Sequence, residues 1–119
     1  ADKVQQSRSS LVELLHKLKD EGKSLVGYAA SSKGTVILNY CGINTDILDY
    51  VYDNTPSKQG LYTPGTHIPI VSTDHFSSDK PDYAFILAWN HMEEIVAKEE
   101  EFRNQGGKFV THIPEARVV

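Results

Sequence analysis

A chain of 119 residues is long enough for one hydrophobic core and short for two, so a single domain over residues 1–119, led by a helix within residues 1–22, is expected. With 39% hydrophobic and 24% charged residues the composition is that of a globular domain and excludes a disordered one. The net charge of −4 offers no basic stripe for nucleic acid, and no run approaches the roughly 18 apolar residues of a membrane helix, so neither is an expected partner and the chain reads as cytoplasmic.

From Val4 to Lys19, Leu11, Leu14, Leu15 and Leu18 recur at i, i+3, i+4 and i+7, the stripe of an amphipathic helix that stops at Gly22. Lys23 to Ala30 is a short apolar run opening into small residues, which predicts a buried parallel strand. A short helix over about Lys33 to Cys41 follows, ended by Gly42. Cys41 is the only cysteine, so an internal disulfide and a CxxC zinc site are excluded, and its apolar neighbours predict a buried core residue. Ile47 to Asp53, rich in β-branched and aromatic residues, predicts the second strand. Asn54 to Thr66, with two prolines and two glycines, predicts an irregular loop long enough to suggest function. Ile68 to Ser72 predicts a third strand and Thr73 to Lys80 a brief helix or turn capped by Thr73 or Asp74. Asp82 to Trp89 is the strongest strand, a continuous apolar run suited to the sheet centre. Met92, Ile95, Val96, Glu99 and Phe102 repeat at helical spacing up to Gly106-Gly107, and Lys108 to Ile113 predicts the last strand. Glu99, Glu100 and Glu101 read as a solvated helix face.

Strands alternating with helices predict an α/β fold, a Rossmann-like doubly wound parallel sheet of about five strands in order 3-2-1-4-5. Its topological switch lies between strands one and four, and ligands in such sheets bind at the carboxyl ends of the strands there. Gly27, Tyr28, Ala29, Ala30, Ser31, Ser32, Lys33 and Gly34 form a turn of small residues running directly into a helix. Backbone amides at the helix start, the serine hydroxyls and Lys33 suit a diphosphate, and tight strand-to-helix packing without a ligand is the competing reading. Ala29 stands where the GxGxxG fingerprint has its second glycine, which counts against a redox domain using NAD. Asp53 closes strand two, where an acid either accepts ribose hydroxyls or caps a loop. Lys58, Gln59, Gly60 and Tyr62 lie on the long loop, which either closes over a nucleotide or packs on itself as an Ω-loop. Trp89 and Asn90 end the fourth strand at the expected crevice, with capping of the next helix as the alternative for Asn90. The five histidines show no metal-binding spacing, and no metal site is expected.

GYAASSKGTVILNYCGI, DYVYDNTPSKQGLYTPGTHIPIV, PDYAFILAWNHMEEI and GGKFVTHIPEARVV together resemble the C-terminal domain of S-adenosylmethionine-dependent C-methyltransferases that act on nucleotide-linked deoxysugars. The resemblance covers about Leu11 to Val119. Members usually have glycine where Ala29 stands and alanine near Ser32. The resemblance implies a three-part enzyme, with a zinc-binding N-terminal domain and a central methyl-donor domain outside this chain. Proton abstraction beside a keto group of an NDP-linked keto-deoxysugar gives an enolate that takes the methyl group, with the base in the central domain. This chain then carries no catalytic residue and binds no cofactor. Its implied share is to hold the nucleotide-sugar, with Gly27, Ala29, Ser31, Lys33 and Gly34 facing phosphate and Asp53, Lys58, Gln59, Gly60, Tyr62, Trp89 and Asn90 shaping the remaining pocket. A sugar-nucleotide-binding module without chemistry, and a structural element between domains, are the alternatives.

Overall fold

The computed structural model describes residues 2–30, 32–111 and 117–119, with side chains from Ser10 onward except those of Ser32, Lys33, His75, Ser77, Trp89 and Arg117. α1 (Asp2–Asp20) buries Leu11, Leu15 and Leu18, with Leu14 half-buried beside them, as the stripe requires. Gly22 follows at φ 81, where its amide closes onto the Lys19 carbonyl and ends the helix. β1 (Leu25–Tyr28) is buried along its whole length and turns into α2 (Ser32–Cys41). Cys41 is only half-buried at the end of α2, packed against the core rather than inside it.

β2 (Val51–Asp53) begins four residues later than the β-branched run suggests. Asn44 accepts the Asp46 amide on its side chain and the Ile47 and Leu48 amides on its carbonyl, so Ile47 and Leu48 are apolar anchors of a turn. β3 (Ile70–Ser72) likewise starts after Pro69, whose ring has no N–H for a ladder. Thr73–His75 is one 3₁₀ turn leading into α3 (Phe76–Asp79). Its cap is Ser72, whose hydroxyl accepts the Asp74 amide, rather than Thr73 or Asp74.

β4 (Tyr83–Ile86) is the buried central strand, and residues 89–91 form a 3₁₀ turn after it. The apolar repeat that follows is two helices, α4 (Met92–Lys98) and α5 (Glu100–Asn104), because Glu99 at φ −100, ψ 41 leaves the helical conformation. Glu99 is half-buried, not part of a solvated face. β5 (Lys108–Thr111) completes the parallel strands, and β6 (Arg117–Val118) adds an antiparallel edge strand that three terminal residues are too few to announce.

The sheet order is β3-β2-β1-β4-β5-β6, with β1 to β5 all parallel, so the five-strand order 3-2-1-4-5 holds. Helices cover both faces. On one, α1 and α2 pack Leu11, Leu15, Leu18 and Leu38 against Leu25, Val51, Phe85 and Val110. On the other, α3, α4 and α5 bring Phe76, Ile95 and Phe102 against Val26, Tyr28, Tyr52, Ala84, Ile86 and Phe109. Phe76 is the hub of the second face, its ring centroid 5.0 Å from Tyr28, 5.1 Å from Tyr52 and 4.5 Å from Phe102. Each such aromatic pair adds about 0.5–1.5 kcal/mol beyond area burial.

Candidate functional site

The chain leaves β1 toward β2 and leaves β4 toward β5, in opposite directions, so the two connections part at the carboxyl ends of adjacent strands whose register pairs Tyr28 with Ile86. A cleft of about 310 Å³ opens there, at the small end of ligand pockets. Tyr28 and Ala29 from the end of β1, Asp53 and Asn54 from the end of β2 and Thr73 from the turn after β3 form one side. Ala88, His91, Glu94, Ile95 and Lys98 form the other. His91, Glu94, Ile95 and Lys98 are spaced i, i+3, i+4 and i+7, a helical stripe that turns one face of α4 into the cleft wall. That spacing is present in the sequence, but three of its four residues are polar, so it does not stand out against the apolar repeat of Met92, Ile95, Val96 and Phe102.

Asp53, 6% exposed, accepts the Ala30 amide on one carboxylate oxygen (2.8 Å) and the Thr55 amide on the other (2.7 Å). The Lys58 ammonium donates to the Ala30 carbonyl (2.9 Å), and the Gln59 side-chain amide donates to the Asp53 carbonyl (3.1 Å). The start of the long loop is thus folded back onto the turn between β1 and α2. Ala29, within that turn, sits at φ 69, a left-handed conformation that costs an alanine roughly 1–2 kcal/mol. Its amide donates to the Tyr52 carbonyl.

Gly34 faces β4. A Cβ there would overlap Leu87 Cβ and stand 3.0 Å from the Leu87 carbonyl oxygen, so the glycine lets the start of α2 lie directly on the strand end. Gly27 is buried in β1 with Val51 and Leu87 against it, a packing position within the sheet. Gly60, at φ 84, turns the long loop so that it runs beside β3, and Tyr62 bridges to Pro69 before the amino end of that strand. Tyr62 is exposed and is not brought to the cleft. Asn90 stands exposed at the same end of the sheet as Asp53, lining a neighbouring depression with His91, Met92, Glu93 and Glu94. It does not cap α4, whose cap position is His91 and carries no side-chain bond. Ser31 and the side chains of Lys33 and Trp89 lie outside the described residues.

Beneath the cleft Tyr28, 4% exposed, approaches Glu99 at the break between α4 and α5. Among the described residues neither the Tyr28 hydroxyl nor Glu99 Oε2 makes a hydrogen bond of good geometry, although the two groups lie close enough for each to shift the other's proton affinity. Burial, then the Glu99 charge, raises the Tyr28 pKa, and burial raises that of Glu99 against the opposing pull of Tyr28 and Lys98. Tyr52 makes the complementary arrangement on β2, its hydroxyl 2.5 Å from an Asp79 carboxylate oxygen and its pKa raised by burial first. His91 and Glu94 pair at 3.7 Å on the exposed rim, a contact worth little in stability. Among the described residues no group of three or more His, Cys, Asp or Glu is placed to hold a metal ion, and no helix is long and apolar enough to cross a membrane.

A doubly wound parallel sheet with a cleft at its switch point defines a Rossmann-like domain. Residues 1–114 match the C-methyltransferase C-terminal domain, and the chain belongs to that family. It is 39% identical over 112 residues to the C-methyltransferase NovU of Streptomyces niveus, an alignment that covers 94% of this chain and 27% of that protein. The chain therefore spans about a quarter of the length of this curated relative.

Proposed function

We propose that this chain is the nucleotide-sugar-binding C-terminal domain of an S-adenosylmethionine-dependent C-methyltransferase acting on an NDP-linked keto-deoxysugar. The observation that carries the reading is the open cleft at the ends of β1, β2 and β4, in a chain that belongs to a C-methyltransferase domain family. The first turn of α2 would offer backbone amides and Lys33 to the diphosphate, the Ala29 and Ala30 amides being engaged by Tyr52 and Asp53, while Asn54, Thr73 and the His91–Lys98 face of α4 bound the space for the rest of the ligand. The methyl donor and a zinc ion are implied by the resemblance for the parent enzyme, and the described residues of this chain do not fit either. Its described residues offer no ligand cluster for zinc, and Asp53, at the position where a donor fold presents an acid to ribose, has both oxygens engaged by backbone amides. Both groups, and the base that removes the sugar proton, belong on this reading to parts of the parent polypeptide outside residues 1–119.

Lys33→Ala in the full-length enzyme tests the assignment. Nucleotide-sugar binding should weaken by about 1.5–3 kcal/mol, the range for a hydrogen bond to a charged group, while the affinity for S-adenosylmethionine stays the same. A change below about 0.5 kcal/mol, the scatter of ordinary surface substitutions, would remove Lys33 from the site. A structural role between domains has one observation in its favour: Val36 and Tyr40 on α2 and Leu61 and Tyr62 on the long loop are exposed apolar side chains that a neighbouring domain would cover. Deleting this domain and measuring the two affinities separately distinguishes the readings, since a structural element affects both.

A further inference from the structure

Asp53, Lys58 and Gln59 combine an acid, a cation and an amide beside the cleft, the set that a nucleotide would use. Their partners point elsewhere. Asp53 Oδ2 accepts the Ala30 N–H, Lys58 Nζ donates to the Ala30 C=O, and Gln59 Nε2 donates to the Asp53 C=O. Both backbone groups of one turn residue are therefore held by side chains from the end of β2 and the loop after it. That loop is itself wound tightly, with the Lys58 amide on the Thr55 carbonyl, the Gln59 amide on the Pro56 carbonyl and the Thr55 amide on Asp53 Oδ1. The residue next to the clamped one is Ala29, held at φ 69. An alanine does not choose that conformation unaided, and a turn carrying it needs an external restraint to stay in one shape.

We propose that Asp53, Lys58 and Gln59 are positioning residues, a strap that fixes the β1–α2 turn through Ala30 in the shape a ligand's diphosphate meets, and that Lys58 and Gln59, which do not line the cleft, do not themselves contact the ligand. The inference rests on the reading of the cleft as the nucleotide-sugar site. It differs from direct contact in one consequence: what the strap supplies by restraint, a glycine at position 29 supplies in part by having no penalty for positive φ.

The test is a calorimetric cycle in the full-length enzyme, with ADP, GDP, UDP and dTDP as probes and S-adenosylmethionine as control. The variants are Lys58→Met, Ala29→Gly, the two combined, the conservative Lys58→Arg and the cleft-wall variant Asn54→Trp. Lys58 is half-buried and Met keeps most of its stem, so this variant avoids the folding risk of replacing buried Asp53. Lys58→Met should weaken binding of the preferred nucleotide about tenfold, the loss expected for one charged hydrogen bond acting through the turn, and leave S-adenosylmethionine within about twofold. Lys58→Arg should retain most of the affinity. Adding Ala29→Gly to Lys58→Met should raise affinity at least about threefold more than the same substitution does in the native chain. Backbone amide exchange at Ala29 and Ala30 should quicken in Lys58→Met without ligand and slow again in the double variant. Independent, additive effects of the two substitutions, or turn amides whose exchange is unmoved, overturn the inference. Wild-type enzyme that binds none of the four nucleotides, or binding that Asn54→Trp leaves intact, sinks the reading of the cleft and the inference with it. Binding that Asn54→Trp weakens and Lys58→Met does not sinks the inference alone.

Discussion

At the amino ends of the parallel strands, Ser24 and Asp82 close the space between β1 and β4 directly. The Ser24 amide and hydroxyl both donate to Asp82 Oδ2, and the Asp82 amide donates to Ser24 Oγ. At the carboxyl ends no side-chain clamp of this kind joins the same two strands among the described residues: beyond the Leu87 amide on the Tyr28 carbonyl the chain diverges, Asp53 and Lys58 bond to turn backbone, and a cleft of about 310 Å³ is left between the connections. A reciprocal clamp satisfies the polar groups of one strand pair and leaves nothing to offer a ligand. At the open end side chains from β2 and the loop after it reach across to the Ala30 backbone, and a concave surface lined by His91, Glu94 and Lys98 is kept. One end is stability; the other is stability arranged around a space.

The largest effect that would break this contrast is expected from Gly34→Ala. The added methyl meets Leu87 at the strand end and pushes the start of α2 away from β4, so thermal unfolding should show a loss of about 1–3 kcal/mol, the usual cost of overpacking, together with weakened nucleotide-sugar binding in the full-length enzyme. Asp82→Ala at the opposite end removes partly exposed bonds and should cost about 1 kcal/mol, with nucleotide-sugar affinity unchanged within error. A drop in affinity from Asp82→Ala comparable to that from Gly34→Ala would mean the two ends are not functionally distinct.

The smallest effect is one of pH. Burial raises the Glu99 pKa above its ordinary 4.5, so the folded chain holds that proton more tightly than the unfolded one. Below about 4.5 both states are protonated and Glu99 adds no pH dependence. As pH rises through that value toward the folded pKa, the folded state carries a growing penalty from ionising the half-buried carboxyl. Glu99→Gln keeps the shape and removes the charge. Its stability relative to the native chain should therefore improve as pH rises from about 4.5 and then level off, read from unfolding midpoints across pH. A constant difference would show that Glu99 is not held in a low-dielectric environment.

Much of the architecture was legible in residue patterns. The leucine stripe of α1, the buried runs of β1 and β4 and the alternation of elements gave the strand order, because each rests on a hydrophobic period that burial enforces. Boundaries failed where side-chain hydrogen bonds decide them: Asn44 turns Ile47 and Leu48 out of β2, and Ser72 starts the turn after β3. The break at Glu99 was invisible because a carboxyl at a core-facing helical position reads as one more surface charge, while its partner Tyr28 lies 71 residues earlier. The end of the sheet at which the cleft opens was also legible, since topology dictates it. What each candidate residue touches was not: Asp53, Lys58 and Gln59 carry nucleotide-binding groups, but their partners are backbone atoms brought near only by folding.

The central claim, that a nucleotide-sugar occupies the cleft at the carboxyl ends of β1, β2 and β4, is tested most directly by hydrogen exchange on the full-length enzyme with and without its nucleotide-sugar. The ligand should slow exchange in peptides covering Tyr28–Ala30, Asn54–Thr55 and His91–Lys98 and leave Ser24 and Asp82 unchanged, while S-adenosylmethionine alone should protect none of these. Protection of the Tyr28–Ala30 turn by S-adenosylmethionine alone, or nucleotide-sugar protection confined to residues outside this chain, would contradict the account.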